Sequence, residues 1–380
     1  MTDVTEWMLD PEVAYLNQGA FGALPRVVWD AASELRQRME RDPTQLLVRS
    51  LPGQIDEVRA RLSQLFNADE AGAVFVPNAT GGTQAVIASL SRTFEPGDEL
   101  LTTDHRYAAV LAQFIRTASE RGTKTVVAHV PLDAQTTSDV VNAIVERITP
   151  RTKLLVVDSI ASLSGFVFPL VEIVAAAHER GVPVLVDAAH APGQLAVDLT
   201  RVGADFWVGN LHKWICSPRA AAYLHVAPQW RDTVRPLAAS HGYAGSLHDA
   251  FDWTGTFDPV TILAVPAALD FWERKGWNEI RGQQRAIVDD GAVHVATALG
   301  TNGPVGTAFR AAMRIIELPV QLAPGSARDV ESALAEKYRV ETSLMPLHGK
   351  SWVRVCGQIY NTPDDYERLA DALTELLESE

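Results

Sequence analysis

Three features of the chain predict an α/β protein: a mostly parallel seven-stranded sheet in a three-layer large domain, followed by a smaller α+β domain. From about Gly72 to His225 short apolar runs alternate with longer amphipathic stretches, the pattern of successive βα units. The runs Leu154–Val157 and Val182–Val186 are apolar throughout, as strands covered by helices on both faces must be. Past about Pro259 helical patterns come first, then short strands and a closing helix. The 380 residues are enough for more than one unit at ~100–200 residues each. The division expected is 20–260 for the large domain, with 1–19 and 261–380 forming the small one.

In order, the expected strands of the large domain are Ala73–Pro77, Glu99–Thr103, Thr125–Val130, Leu154–Asp158, Val182–Asp187, Phe206–Val208 and Ala220–His225. Helical patterns separate them at Thr83–Thr93, Ala109–Arg121, Asp139–Ile148 and Leu170–Arg180. The last of these runs into His178-Glu179-Arg180-Gly181-Val182-Pro183, where Gly181 suits the C′ position and Pro183 opens the next strand. Further on come helices at Ile262–Arg274 and Trp277–Leu299. Strands follow around Arg314–Leu318, Arg339–Leu344 and Trp352–Val355, and a helix at Asp364–Leu377 closes the pattern.

Composition removes several classes of function. Hydrophobic residues make up 47% and charged residues 21%, which excludes wholesale disorder and fibrous repeats. A net charge of -14 repels polyanions, so no nucleic-acid partner is expected. Cys216 and Cys356 are the only cysteines and form no CxxC, so neither a disulfide framework nor a metal site is expected, and a reducing cytoplasm fits. The first twelve residues carry four carboxylates and no basic segment, unlike a secretory signal. The longest uncharged run, Gly291 to Phe309, is broken by Gly, Pro, Asn and Thr, whereas a membrane span needs ~20 mostly apolar residues; a soluble protein is expected.

Ligands of open parallel sheets bind beyond the carboxyl ends of the strands. After the first strand, Asn78-Ala79-Thr80-Gly81-Gly82-Thr83 leads into a helix whose N–H groups suit a phosphate or simply a cap. His105 and Tyr107 follow the second strand, and Asp158, Ser159 and Ser162 the fourth. The fifth ends in Asp187-Ala188-Ala189-His190, where a carboxylate emerging from an apolar wall either caps a turn or neutralises a buried cation. Of six lysines only Lys213 is flanked by aromatic and aliphatic residues, with no other formal charge between Asp205 and Arg219. Burial lowers an amine's pKa and makes it reactive; the alternative is a snorkelling side chain.

These segments, NATGGTQAV, TDHRYAAV, VDSIASLSG, VLVDAAHAPGQ, ADFWVGNLHKWICSP and WVRVCGQIYNTPDDYERL, resemble in order the pyridoxal-phosphate enzymes of aminotransferase class V, over nearly the whole chain. LNQGAFGALP and NLHKW look like its isopenicillin N epimerase-like branch, which includes carbon-sulfur lyases and lincosamide sulfur-processing enzymes. The resemblance implies the type I fold of PLP-dependent transferases and pyridoxal 5′-phosphate as cofactor. It implies Lys213 as the covalent attachment point and Asp187 as partner of the pyridine nitrogen. His105 would stack on the ring, Ala79, Thr80 and His212 would contact the phosphate, and His190 would lie near the phenolic oxygen. Asp158 completes the implied cofactor-binding set. Thr256 would reach a partner subunit's phosphate, which implies a homodimer with shared active sites. Arg354 would anchor an amino-acid carboxylate, with Asn17 and Tyr107 in the substrate region; Gln18 stands where a His is common. His241, Tyr243, Phe21 and Tyr360 are further expected pocket residues.

The implied chemistry is removal of an amino acid's α-proton, with Lys213 as base. Elimination needs one base and a leaving group, whereas epimerisation asks for an acid/base on each face, for which Tyr107, His241 or Tyr243 are candidates. One evident base favours a carbon-sulfur lyase acting on a cysteine S-conjugate in sulfur or antibiotic metabolism. Epimerisation, transamination and decarboxylating oxidative deamination remain alternatives. A persulfide-forming desulfurase is disfavoured, because Ala323 to Arg339, where such enzymes carry a nucleophilic thiol, has no cysteine. A non-catalytic binding protein would not need Lys213, Asp187, His105 and Arg354 together.

Overall fold

The computed structural model describes residues 4–303, 308–323 and 325–378. The large sheet has seven strands: β2 (Ala73–Val76), β3 (Glu99–Thr103), β4 (Lys124–Ala128), β5 (Thr152–Asp158), β6 (Val184–Asp187), β7 (Phe206–Asn210) and β8 (Ala222–Val226), after a two-residue β1 (Ala14–Tyr15) elsewhere. Their order is β2-β8-β7-β6-β5-β3-β4, and only β8 runs against its neighbours. β2, β5, β6, β7 and β8 are buried almost throughout, which is why their sequences read as apolar runs. Helices cover both faces, one apolar cluster on each side of the sheet.

A second, antiparallel sheet is formed by β9 (Met313–Glu317), β11 (Ser343–Leu347) and β12 (Lys350–Cys356), in the order β11-β12-β9. β10 (Val340–Glu341) pairs in parallel with β1, so the N-terminal segment is stitched to the C-terminal part of the chain. The expected strand Arg339–Leu344 is therefore two strands serving different sheets. The cause is local: Arg339 adopts a left-handed conformation (φ 58°) to end the helix Ser326–Tyr338, and a break at Thr342 separates β10 from β11.

Two other differences from expectation have a local cause. The helix expected from Ile262 is interrupted, giving Val260–Leu263 and Val265–Lys275, with Pro266 accommodated in the first turn of the second piece. The helix expected from Thr83 starts at Ala79, because Asn78 caps it by accepting a hydrogen bond from the Gly81 N–H. Helices Arg26–Arg41 and Leu51–Leu65 precede the first large-sheet strand and pack against the Val260–Lys275 region. The uncharged run from Gly291 is helical to Ala298, and 304–307 lie outside the described residues. Among the described residues no helix is long and apolar enough to cross a membrane.

Candidate active site

Parallel register brings the ends of β5, β6 and β7 to one edge, with Asp158 beside Asp187 and Asp187 beside Val208. At this edge lies a cavity of about 260 Å³ lined by Thr80, Tyr107, Asp187, His190, His212 and Lys213, with Ala79, Asp158, Ser162, Asn210 and Phe21 also on its wall. Residues scattered from position 20 to 213 thus share one space.

The lysine loop between β7 and β8 is fixed from three directions. Gln18 Nε2 donates to the Lys213 carbonyl at 2.6 Å, and Trp272 Nε1 to the Ile215 carbonyl at 2.7 Å. The Leu211 N–H donates to the Ala221 carbonyl at 3.0 Å, closing the loop's base. Gln18 Oε1 in turn accepts from the Ala23 N–H and the Tyr360 hydroxyl. Gln18 is therefore a buried clamp joining three segments.

Gly22 completes this arrangement. Its φ is +72°, and an added Cβ would lie 2.0 Å from the His212 carbonyl oxygen. Gly22→Ala is expected to cost at least about 2 kcal/mol, from a left-handed backbone and from overpacking against main chain that cannot yield. Urea unfolding measures this loss, and weakened cofactor retention should accompany it.

Burial and the Arg354 charge lower the Lys213 amine from 10.5 to about 8, while the Asp187 charge opposes them. Lys213 Nζ lies 3.1 Å from His190 Nε2. Trp214 Nε1 donates to His190 Nδ1 at 3.4 Å, so the proton of the neutral imidazole sits on Nε2, aimed at the lysine. Burial holds His190 well below its ordinary pKa, reinforced by the Lys213 charge. The apoprotein should therefore capture an aldehyde at a rate that rises with pH to a midpoint near 8, since the unprotonated amine is the nucleophile. Stopped-flow absorbance on apoprotein mixed with pyridoxal phosphate measures it; a midpoint near the free-lysine value would contradict the burial argument.

Asp158 and Asp187 are both buried, and burial raises both carboxyls. Asp187 is compensated by the Ala189 N–H at 3.0 Å and by the Lys213 charge. Asp158 feels the Asp187 charge as well, so it holds its proton more tightly.

At the helix beginning with Ala79, the Ala79 N–H is taken by Asn210 Oδ1 at 2.9 Å and the Gly81 N–H by Asn78. That leaves Thr80, on the cavity wall, with amide and hydroxyl donors free of protein partners among the described residues. His212 lines the same cavity, and its Nδ1 is buried without a partner. Burial, with the Lys213 charge, pushes His212 down to about 4, so the ring is neutral.

Arg354, on β12, is 5% exposed. Its guanidinium donates to the Ser162 carbonyl at 2.6 Å and to Asn17 Oδ1 at 3.0 Å, and its Nε has no partner. No carboxylate pairs with it among the described residues. Asn17 thus orients Arg354, and Ser162 connects it to the cavity wall.

Several expectations need correction. His105 does not line the cavity: its ring is fully buried, held by Ser164 Oγ at 2.7 Å and the Val130 carbonyl at 2.8 Å, and packed against Phe166 and Phe168. The aromatic ring at that edge of the cavity is Tyr107, two residues later and 44% exposed, at the start of the helix Ala108–Arg121. Tyr360 is buried on Gln18, and Tyr243 accepts from Arg92; neither Tyr360, His241 nor Tyr243 lines the cavity. Thr256, expected to serve a partner subunit rather than its own chain's cavity, is exposed and lies off that cavity.

A model of the aminotransferase class V family matches residues 14–341, and the chain belongs to that family. It is 30% identical over 388 residues to the isopenicillin N epimerase of Streptomyces clavuligerus, covering 97% of this chain and 96% of that one. It is also 30% identical over 407 residues to an L-cysteine desulfhydrase of Arabidopsis thaliana, covering 97% and 88%. Its fold matches that of the cystine C-S lyase C-DES, solved with its product cysteine persulfide, with TM-score 0.79 at 20% identity, covering 96% of this chain and 98% of that one. The family's cofactor is pyridoxal 5′-phosphate. The site's residues fit it: uncommitted donors and an orphaned buried imidazole nitrogen suit a phosphate, and a buried carboxylate and a lysine with a lowered pKa suit the ring.

Proposed function

We propose that this class V enzyme is a carbon-sulfur lyase that removes the α-proton of a cysteine S-conjugate and expels its sulfur substituent. The observation that carries the reading is Lys213, a partly buried amine lowered to about 8 and the one strong base on the cavity wall. When bound, pyridoxal phosphate supplies an electron sink that makes the α-proton removable.

The rest follows from the chain's own groups. Thr80 and His212 hold the phosphate, and Asp187 keeps a proton on the ring nitrogen. Tyr107, rather than His105, is the aromatic available to cover the ring. Arg354, oriented by Asn17, binds the substrate carboxylate. Lys213 takes the Cα proton, and the same proton can pass to the departing sulfur. The balance is one S-conjugate and one water giving one thiol, one pyruvate and one ammonia.

The cysteines support elimination over persulfide transfer. Both are fully buried, and burial raises both thiols, away from the reactive range. The desulfhydrase relative favours the same reading. A homodimer completing each site from both chains is part of the proposal, since Thr256 is exposed and away from its own chain's cavity, as a residue serving a partner would be.

A second reading is epimerisation, favoured by Tyr107 at the cavity wall as a further proton donor and by the epimerase relative. Incubation with S-alkyl cysteines separates the two. Elimination yields thiol, pyruvate and ammonia in equal amounts. Recovery of substrate with inverted Cα and no pyruvate would favour epimerisation and overturn the lyase reading.

A further inference from the structure

We infer that Asp104, His129 and His348 form a binding site for a divalent first-row transition metal, which staples the β11–β12 hairpin to the edge of the large sheet. The site is separate from the lysine cavity, none of whose wall residues belongs to it.

The three residues are brought together by topology. β3 and β4 are parallel neighbours with Thr103 opposite Ala128, so the next residues, Asp104 and His129, emerge side by side. The Asp104 N–H donates to the Ala128 carbonyl at 3.0 Å and extends that ladder by one bond. His348 comes from the opposite direction, at the tight turn of the β11–β12 hairpin, where Leu347 pairs with Lys350. His348 and Gly349 both have positive φ, 49° and 75°. Asn-Gly is the sequence that suits such a turn, so a histidine in its first position carries backbone strain that the fold tolerates at an ion-binding position.

The donor atoms converge. Asp104 Oδ1 accepts the Val130 N–H at 3.0 Å, which orients the carboxylate. Its Oδ2 faces two imidazoles, His129 Nδ1 in hydrogen-bond contact and His348 Nε2 at 2.8 Å. The three donor atoms lie within 4.8 Å of one another. Bonds of ~2.0–2.2 Å at tetrahedral angles place ligand atoms ~3.3–3.6 Å apart, so the Asp104–His348 pair, at 2.8 Å, needs to open by less than ~1 Å to admit an ion. Two imidazoles and one carboxylate select Zn²⁺ and its neighbours over Ca²⁺ or Mg²⁺, and water would complete the shell. Spacings of 25 and 244 residues from Asp104 explain why the sequence suggested no metal.

The hairpin held in this way carries Arg354 on β12, so the ion would fix the strand bearing the carboxylate anchor against the sheet bearing the rest of the site. The test uses the cofactor-replete protein, stripped with a chelator and titrated calorimetrically with Zn²⁺. The expected result is one equivalent per chain and a thermal midpoint raised by the ion. His129→Gln, at a side chain 70% exposed and free to change without unfolding, should weaken binding at least about 100-fold and abolish the thermal shift. His348→Ala should do the same. Absence of saturable one-to-one binding, or binding and stabilisation that survive both substitutions, would overturn the site and leave only a hydrogen-bonded cluster.

Discussion

Lys213→Ala is expected to lower turnover by at least about 10²–10⁴-fold, the range attributable to a positioned proton-transfer group, before the loss of covalent cofactor attachment is added. The stability of the variant distinguishes this from misfolding. Wild-type Lys213 has a folded-state pKa of about 8 against 10.5 in an unfolded chain, so the unfolded state binds more protons between those values. The resulting destabilisation of the apoprotein, on the order of 3 kcal/mol, is fully present below pH 8 and fades as the pH rises toward 10.5. Alanine removes it. At pH 7 the apo variant should therefore be at least as stable as apo wild type, less the packing of the lysine stem. Near pH 10.5 that advantage should vanish. Turnover within tenfold of wild type would remove Lys213 from the role of base.

Arg354→Leu is expected to reduce kcat/KM for an amino-acid substrate by roughly 10²–10³-fold, mostly through KM, as when a buried charge partner is deleted. The guanidinium is buried and bonded to neutral oxygens of Ser162, Asn17 and Ser343, so it retains the capacity to bind a carboxylate. Arg354→Lys should recover only part of the loss, because an ammonium does not reproduce a bidentate fork. The leucine variant has a second signature. The Arg354 charge helps depress Lys213, so its removal should move the pH midpoint of cofactor capture upward from about 8. A midpoint left in place would contradict the charge coupling between Arg354 and Lys213, while the loss in KM reports carboxylate binding.

Much of this site was legible in the sequence because each residue follows directly from a strand whose apolar run is readable. Asp158, Asp187 and Lys213 reach the cavity for that reason. His105 shows the limit. It also follows a strand directly, but Ser164 and Val130, distant in sequence, take both ring nitrogens and turn the side chain into the core, so that Tyr107 at the helix start reaches the cavity instead. No local pattern distinguishes those two outcomes. Gln18 was similarly opaque, since its role depends on Lys213, Ala23 and Tyr360 meeting around it. The division of the expected strand at Arg339 into β10 and β11 turned on one left-handed residue and on pairing with the N-terminal β1.

The central claim is that the Lys213 amine beside His190 carries the cofactor. Borohydride reduction of the cofactor-replete protein, followed by proteolysis and mass spectrometry, tests it directly. The account predicts a phosphopyridoxyl group on the peptide containing His212-Lys213-Trp214 and on no other lysine. A modification found instead at Lys124, Lys153, Lys275, Lys337 or Lys350 would contradict it.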